Sequence, residues 1–328
     1  MGQIAARLAD LELPPLDQSI PVWPGRKVSV GAARLLVRTA PSANPDAEPA
    51  LFVHGLGGAS TNWTDLMAQL SPWLASEAID LPGFGWSGPS PDRDYSLRAQ
   101  AQVVIGYLES ARRGPVHLVG NSMGGAICAL VASLRPDLLR TLTLVSPAVP
   151  SLRPNSVEGS DPRMLLLALP GVGGLMQRRL GRFTAEQRVR ATFGIIYGDI
   201  ATLPPHRLEE AAAELADRSS MSWSAQAFVA AFRSIAASYL RGGSTWAQIG
   251  RIAAPTLLIW GDLDRLVDAR IAPRAANTIP NSRLLILPGV GHVPMMEDPQ
   301  SVARAVLALI EDTGTGADGR PANRDVRA

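Results

Sequence analysis

The chain has 328 residues, of which 46% are hydrophobic and 18% charged, with a formal net charge of +2. That balance suits a large buried core, as one α/β domain carrying an insertion or as two modest domains. The positive charge is nearly all arginine, with no basic stripe and no interleaved aromatics, which excludes a nucleic-acid footprint; a single cysteine, Cys128, excludes an intrachain disulfide and cysteine-rich zinc sites.

Residues 1–26 read as a leader holding four prolines and a short helix. It carries acids and lacks a continuous apolar core, so it is not a signal peptide. Residues 28–39 alternate weakly and predict the first hairpin, followed by a turn-rich connection over 41–49. A short buried strand, 50–53, runs into His54-Gly55-Leu56-Gly57-Gly58, and a helix follows over 63–70. Residues 74–79 form a strand leading into Asp80-Leu81-Pro82-Gly83-Phe84-Gly85-Trp86-Ser87. Apolar residues at helical spacing predict a helix over 97–111. An apolar strand, 116–119, then meets Gly120-Asn121-Ser122-Met123-Gly124, with a helix over 126–134 and a strand over 141–145 beyond it.

Strands alternating with helices argue for a mostly parallel sheet covered on both faces. The alternation stops over 148–252, where the pattern is helical, and this stretch is expected to be a cap inserted between two parts of the core, 27–147 and 253–312. Its most apolar run, 164–176, is broken by Pro170 and three glycines and is too short to span a bilayer. The expectation is a cytoplasmic protein without a transmembrane segment, with loose lipid contact left open. Strands return at 255–260, before Gly261-Asp262-Leu263-Asp264, and at 283–287, before Pro288-Gly289-Val290-Gly291-His292. Residues 313–328, polar and rich in Gly, Asp and Arg, read as a disordered tail.

The chemistry concentrates at Ser122. Strand, G-x-S-x-G turn and helix in that order form a nucleophile elbow, which holds a serine in strained geometry with its hydroxyl exposed. The following helix aims its first N–H groups at the place where an oxyanion would form. A serine hydroxyl alone is a weak nucleophile and needs a base and a residue to orient that base. An acid and an imidazole both lie just past strand C-termini, where open α/β sheets place reactive groups. Asp264 and Asp262 compete for the acid's role. Of the remaining histidines, His54 reads as a brace of its loop, His117 as a satisfied core residue and His206 as exposed. Cys128 reads as a small buried hydrophobe. No H-x-x-x-H or carboxylate-rich loop occurs, so no metal is expected, and no G-x-G-x-x-G pattern suggests a cofactor. Candidate pocket residues are Trp63, Met164, Met176, Trp223, Val293 and Met295; the run from Met164 to Met176 could instead be ordinary buried helix.

These blocks together resemble the α/β-hydrolase family. Four of them match, in order: the His54–Gly58 loop, the Asp80–Ser87 segment, the Ser122 elbow, and the Asp264 and His292 loops. The resemblance implies an eight-stranded, mostly parallel sheet with a helical cap. It implies Ser122 as nucleophile, His292 as general base and acid, and Asp264, three residues past Gly261, as the orienting acid. It further implies backbone N–H groups of Leu56 and Met123 as the oxyanion hole. Where the family often has proline four residues beyond the acid, this chain has Asp268. A serine argues against the haloalkane dehalogenases and epoxide hydrolases, which resemble the chain elsewhere but use aspartate. The chain is similar to esterases and monoacylglycerol lipases, and the leading reading is a carboxylic-ester hydrolase for small to medium apolar acyl groups. The alternative is a C–C hydrolase of meta-cleavage products, whose family shares Gly-Asn-Ser-Met-Gly-Gly with residues 120–125. Those enzymes usually carry a more glycine-rich oxyanion loop and need a cap arginine for a dienoate acid; Arg163, Arg178, Arg179, Arg182, Arg188 and Arg190 are all candidates. A non-catalytic, ligand-binding role on the same fold is a remote alternative, which an intact serine, acid and histidine set argues against.

Overall fold

The structure, a computed structural model, describes residues 4–150 and 182–314. Nine strands form one sheet among them: β1 (Ile4–Ala5), β2 (Gly25–Val30), β3 (Ala33–Thr39), β4 (Glu48–Val53), β5 (Leu74–Ile79), β6 (Val116–Asn121), β7 (Leu139–Val145), β8 (Thr256–Gly261) and β9 (Ser282–Leu287). Their spatial order is β1-β9-β8-β7-β6-β4-β5-β3-β2. The pairs β2–β3 and β3–β5 are antiparallel, and every other pair is parallel.

The central strands are apolar at successive positions because both faces are covered. Alternation then sorts the side chains. Leu51, Val53, Leu118, Leu142, Leu144, Leu258 and Trp260 enter one core. Helices α2 (Leu97–Ala111) and α3 (Met123–Leu134) also contribute to it. Ala50, Phe52, Val119, Val145, Leu257 and Ile259 face the other core, with α1 (Thr64–Leu70) and the C-terminal helix. Between β7 and β8 the described residues are helical: α4 (Ala185–Ile196), α5 (Pro205–Ser219), α6 (Ser224–Leu240) and α7 (Gly242–Ile249). Three more helices follow: α8 (Ala272–Thr278), α9 (Pro294–Glu297) and α10 (Pro299–Gly314).

Three expectations change. The sheet has nine strands rather than eight, because the leader supplies β1, paired in parallel with β9 through Ile4↔Arg283 and Ala5↔Leu284. Beyond β1 the leader makes no helix, as its prolines at 14, 15, 21 and 24 would disfavour, and is strapped to the core instead. Arg304 donates to the carbonyls of Ala9 (3.0 Å) and Leu11 (2.6 Å), and Gln69 donates to that of Pro14 (3.0 Å). At the other end, α10 runs through Gly314, past the expected boundary at 312; the rest of the expected tail lies outside the described residues.

Candidate active site

The elbow follows from close packing at the C-terminal end of β6. Ser122 has φ +53° and ψ −115°, a sparsely populated conformation for a residue with a Cβ. The turn is over-determined by main-chain bonds. Ser122 N–H donates to Val145 O (2.9 Å), and Ser122 O accepts from Ala126 N–H (3.0 Å) and Ala148 N–H (2.9 Å). Gly124 lets α3 begin against β4, since a Cβ there would collide with the carbonyl oxygens of Val53 and His54. Asn121 and Met123 are buried while Ser122 is only half-buried, so the serine is the part of the elbow that faces outward.

The acid and the imidazole meet across the ends of β8 and β9. Asp264 Oδ2 lies 2.8 Å from His292 Nδ1, with the two side chains 0% and 5% exposed. A carboxylate only accepts, so Nδ1 carries the proton and Nε2 is left as the ring's acceptor. The other oxygen, Asp264 Oδ1, accepts from Leu266 N–H (2.8 Å) and Val267 N–H (2.9 Å), fixing the carboxylate plane. The rival Asp262 is exposed and accepts from Gly289 N–H (2.7 Å), which ties the two loops together. Asn121 Nδ2 donates to both Val145 O and His292 O, each at 3.1 Å, holding the histidine's backbone against the elbow. The histidine loop is also held from the helical segment. His292 N–H donates to Ile196 O (2.6 Å), and Glu297 accepts from Gly291 N–H (2.9 Å) and Gly198 N–H (2.8 Å). Burial, and to a lesser extent the charge of Asp264, push the Glu297 carboxyl upward, while those backbone bonds oppose the shift. Among the described residues the serine hydroxyl makes no hydrogen bond to the imidazole.

The His54–Gly58 loop closes the other side. A Cβ on Gly55 would lie 3.2 Å from Ser122 Cβ, so this backbone runs directly against the serine. His54 is fully buried, with Nε2 accepting from Leu81 N–H (3.0 Å) and Nδ1 2.7 Å from Gly55 O. The first bond requires a lone pair on Nε2, so Nδ1–H donates to Gly55 O. A trans peptide points its N–H opposite to its C=O. Holding Gly55 O toward the buried imidazole therefore turns Leu56 N–H away from it. Burial pushes the His54 imidazole down to about 4, with the charge of Arg218 adding to the effect. The Asp80 block plays a similar part: Asp80 Oδ1 and Oδ2 accept from Ser60 N–H (2.7 Å) and Trp86 N–H (2.8 Å). Its burial pushes that carboxyl upward.

The remaining expectations divide. Leu56 is half-buried and Met123 fully buried at the start of α3. Trp63 and Met295 are 0% and 1% exposed and lie in the core, where the Trp63 ring packs 5.3 Å from that of Phe52. The 3₁₀ turn Ser60–Trp63 directs that indole inward. Val293 is likewise a core residue, and Trp223 is half-buried just before α6. Met164 and Met176 lie outside the described residues. His117 is satisfied in the core by Thr141 (2.8 Å) and Glu48 (3.2 Å), and Cys128 is buried. His206 is half-buried rather than exposed, because Gln18 of the leader covers it. Among the described residues no cluster of three His, Cys, Asp or Glu side chains is arranged to hold a metal ion, and no helix is long and apolar enough to cross a membrane. Asn121, Glu297 and the buried arginines of α5 carry no expectation from sequence. A polar residue at the end of an apolar strand is the one signal that marks Asn121.

The profile of the α/β-hydrolase fold matches residues 49–299. Among similar proteins is the monoacylglycerol lipase abhd6-A of Xenopus laevis, 26% identical over 79% of this chain and 74% of the relative. Another is the 2-hydroxy-6-oxononadienedioate/2-hydroxy-6-oxononatrienedioate hydrolase of Cupriavidus pinatubonensis, 25% identical over 80% of this chain and 87% of the relative. The structure also superposes on the 2-hydroxy-6-oxo-6-phenylhexa-2,4-dienoate hydrolase of Rhodococcus sp. strain RHA1, with a TM-score of 0.70. That match covers 88% of this chain and 98% of the other at 19% identity, a likeness of fold alone. With a profile spanning most of the chain, and the sheet order and strand-end loops to match, this protein belongs to the α/β-hydrolase family.

Proposed function

We propose that the protein is a serine hydrolase that cleaves carboxylic esters of small to medium apolar acyl groups through an acyl-enzyme on Ser122. The observation that carries this reading is the shielded Asp264–His292 hydrogen bond beside a strained, outward-facing serine. In the reaction, His292 Nε2 takes the proton from Ser122 Oγ as that oxygen attacks the ester carbonyl. Asp264 holds the Nδ1–H tautomer and stabilises the imidazolium that forms. The N–H groups of Leu56 and Met123 receive the developing oxyanion; losing one such donor typically costs about 10² to 10³ in kcat. His292 then protonates the leaving alkoxide, and water, deprotonated by the same nitrogen, releases the acid. The helical segment between β7 and β8 is the cap in this reading, and the substrate is a small apolar ester.

The arginines of the helical segment bear on the choice between ester and C–C cleavage. Recognition of a dienoate acid needs a cap arginine. Among the described residues of that segment, the buried arginines are Arg207 and Arg218, and both are already paired with carboxylates. Of the other candidates, Arg182 and Arg190 are exposed and Arg188 is half-buried, while Arg163, Arg178 and Arg179 lie outside the described residues. A panel of p-nitrophenyl esters of rising chain length, run beside a ring-opened dienoate, separates the readings. Turnover of the esters with the dienoate untouched is the expected result. Turnover of the dienoate alone overturns the proposal.

A further inference from the structure

Helix α5 buries charge where an amphipathic helix normally buries apolar side chains. Positions 207, 211, 214 and 218 form one stripe, and Arg207, Glu214 and Arg218 are 9%, 11% and 9% exposed at the side chain. Their partners lie along the oxyanion loop and the helix that follows it, in antiparallel register. Arg218 Nη1 donates to Gly57 O (2.9 Å) and to Glu214 Oε1 (2.8 Å). Glu214 Oε2 accepts from the Thr61 hydroxyl (2.7 Å). Arg207 pairs with Asp65 (2.5 Å) and Glu210 (2.7 Å). Residues 57, 61 and 65 thus meet 218, 214 and 207. Burying charge in this way stabilises less than apolar packing of the same volume would, and a fixed register is the best-attested return.

The contact at Gly57 reaches the proposed oxyanion donor through two rigid peptide planes. The 57–58 peptide is pinned at both ends: its carbonyl by Arg218 and its N–H by Gly55 O (3.1 Å). Gly55 O is in turn the carbonyl of the 55–56 peptide, whose other end is Leu56 N–H. Rotation of the first plane would release the second, leaving only the His54 bond to orient it. Gly57 is the point where this path could give way, since it adopts φ +74°, and the Phe228 ring of α6 closes over it. We infer that Arg218, held by Glu214, is a positioning residue for the Leu56 N–H, so that turnover depends on the contact of Arg218 with Gly57 O. The inference rests on the serine-hydrolase reading, with Leu56 as an oxyanion donor.

The test uses the full chain and p-nitrophenyl acetate, whose acyl group is too short to depend on a long pocket. Arg218→Met is expected to lower kcat about 10- to 100-fold while KM moves less than about threefold. The affinity of a simple alkyl boronic acid, whose tetrahedral adduct places an oxygen in the oxyanion site, should fall by the same factor. Arg218→Lys, which can still donate to Gly57 O, should recover part of kcat. Arg207→Met, which loosens the same helix without touching the loop, should lower the melting temperature but leave kcat within about threefold. If Arg218→Met does not fold, Glu214→Gln/Arg218→Met leaves no uncompensated buried charge and carries the same expectation. Equal kcat losses in the Arg207 and Arg218 variants would show a merely structural role and overturn the inference; so would an unchanged kcat in the Arg218 variants. Fluorophosphonate labelling that vanishes in Ser122→Ala but persists in an unimpaired Arg218→Met would sink this inference while leaving the hydrolase reading intact. Labelling that survives in Ser122→Ala would remove both.

Discussion

At the scale of single residues, the site is held together by backbone contacts from side chains that are not proposed to react. His54 is the clearest case, because both ring nitrogens are committed to main-chain partners and the neutral form is required. Its value of about 4 in the folded protein lies below the ordinary histidine value near 6.5. The unfolded chain therefore takes the proton first. Stability is unaffected well above pH 6.5 and falls as the pH descends from there toward 4. The size of the loss is about 3 kcal/mol once both states are protonated. Urea denaturation at neutral pH and near pH 4 should show a pH dependence shallower by about that amount in His54→Gln than in the parent chain. An equal dependence in the two would mean that this imidazole is not held neutral. His54 also shows how far residue-level reading extends. A histidine directly after an apolar strand and before a glycine run announces a brace. By contrast, Trp63 carries no local mark to separate a pocket wall from a core ring, and only its packing on Phe52 decides.

At the scale of elements, what could be read in sequence depended on whether an element's pattern is its own. The parallel strands and the elbow helix are apolar or periodic in themselves, and they lie where their patterns place them. β1 is two residues at a sheet edge, too short to show alternation, and its existence depends on the partner edge at β9. Helix α5 misleads for another reason. Arg207, Glu214 and Arg218 are residue types that usually mark a solvated face, yet here that face is the docking one. Its energetics can be tested apart from catalysis. Burial pushes the Asp65 carboxyl up, while Asp65 and Glu210 keep the Arg207 guanidinium charged against its own burial. Asp65→Asn should then cost about 3 kcal/mol by leaving the arginine undercompensated, and Asp65→Asn/Arg207→Met should recover most of it. Denaturant midpoints check this directly. A double variant no more stable than the single one would contradict it.

At the scale of the whole molecule, the sheet brings three distant segments to one edge. The elbow leaves β6, the acid leaves β8 and the histidine leaves β9, all at their C-terminal ends, where the His54–Gly58 loop of β4 joins them. Strand order placed these residues together, and sequence could anticipate that because each lies just past its own apolar run. The clasps from the helical segment onto the loops, through Ile196, Gly198 and Arg218, were not legible, since each joins residues far apart in the chain with a backbone atom on at least one side. The proposed chemistry is tested most directly by trapping the intermediate. Rapid-quench reaction with p-nitrophenyl acetate should release a burst of about one p-nitrophenolate per chain, with the acetyl group mapped by mass spectrometry to Ser122 and absent from Ser122→Ala. Undiminished turnover by Ser122→Ala, or an acyl group mapped to another residue, would contradict the account.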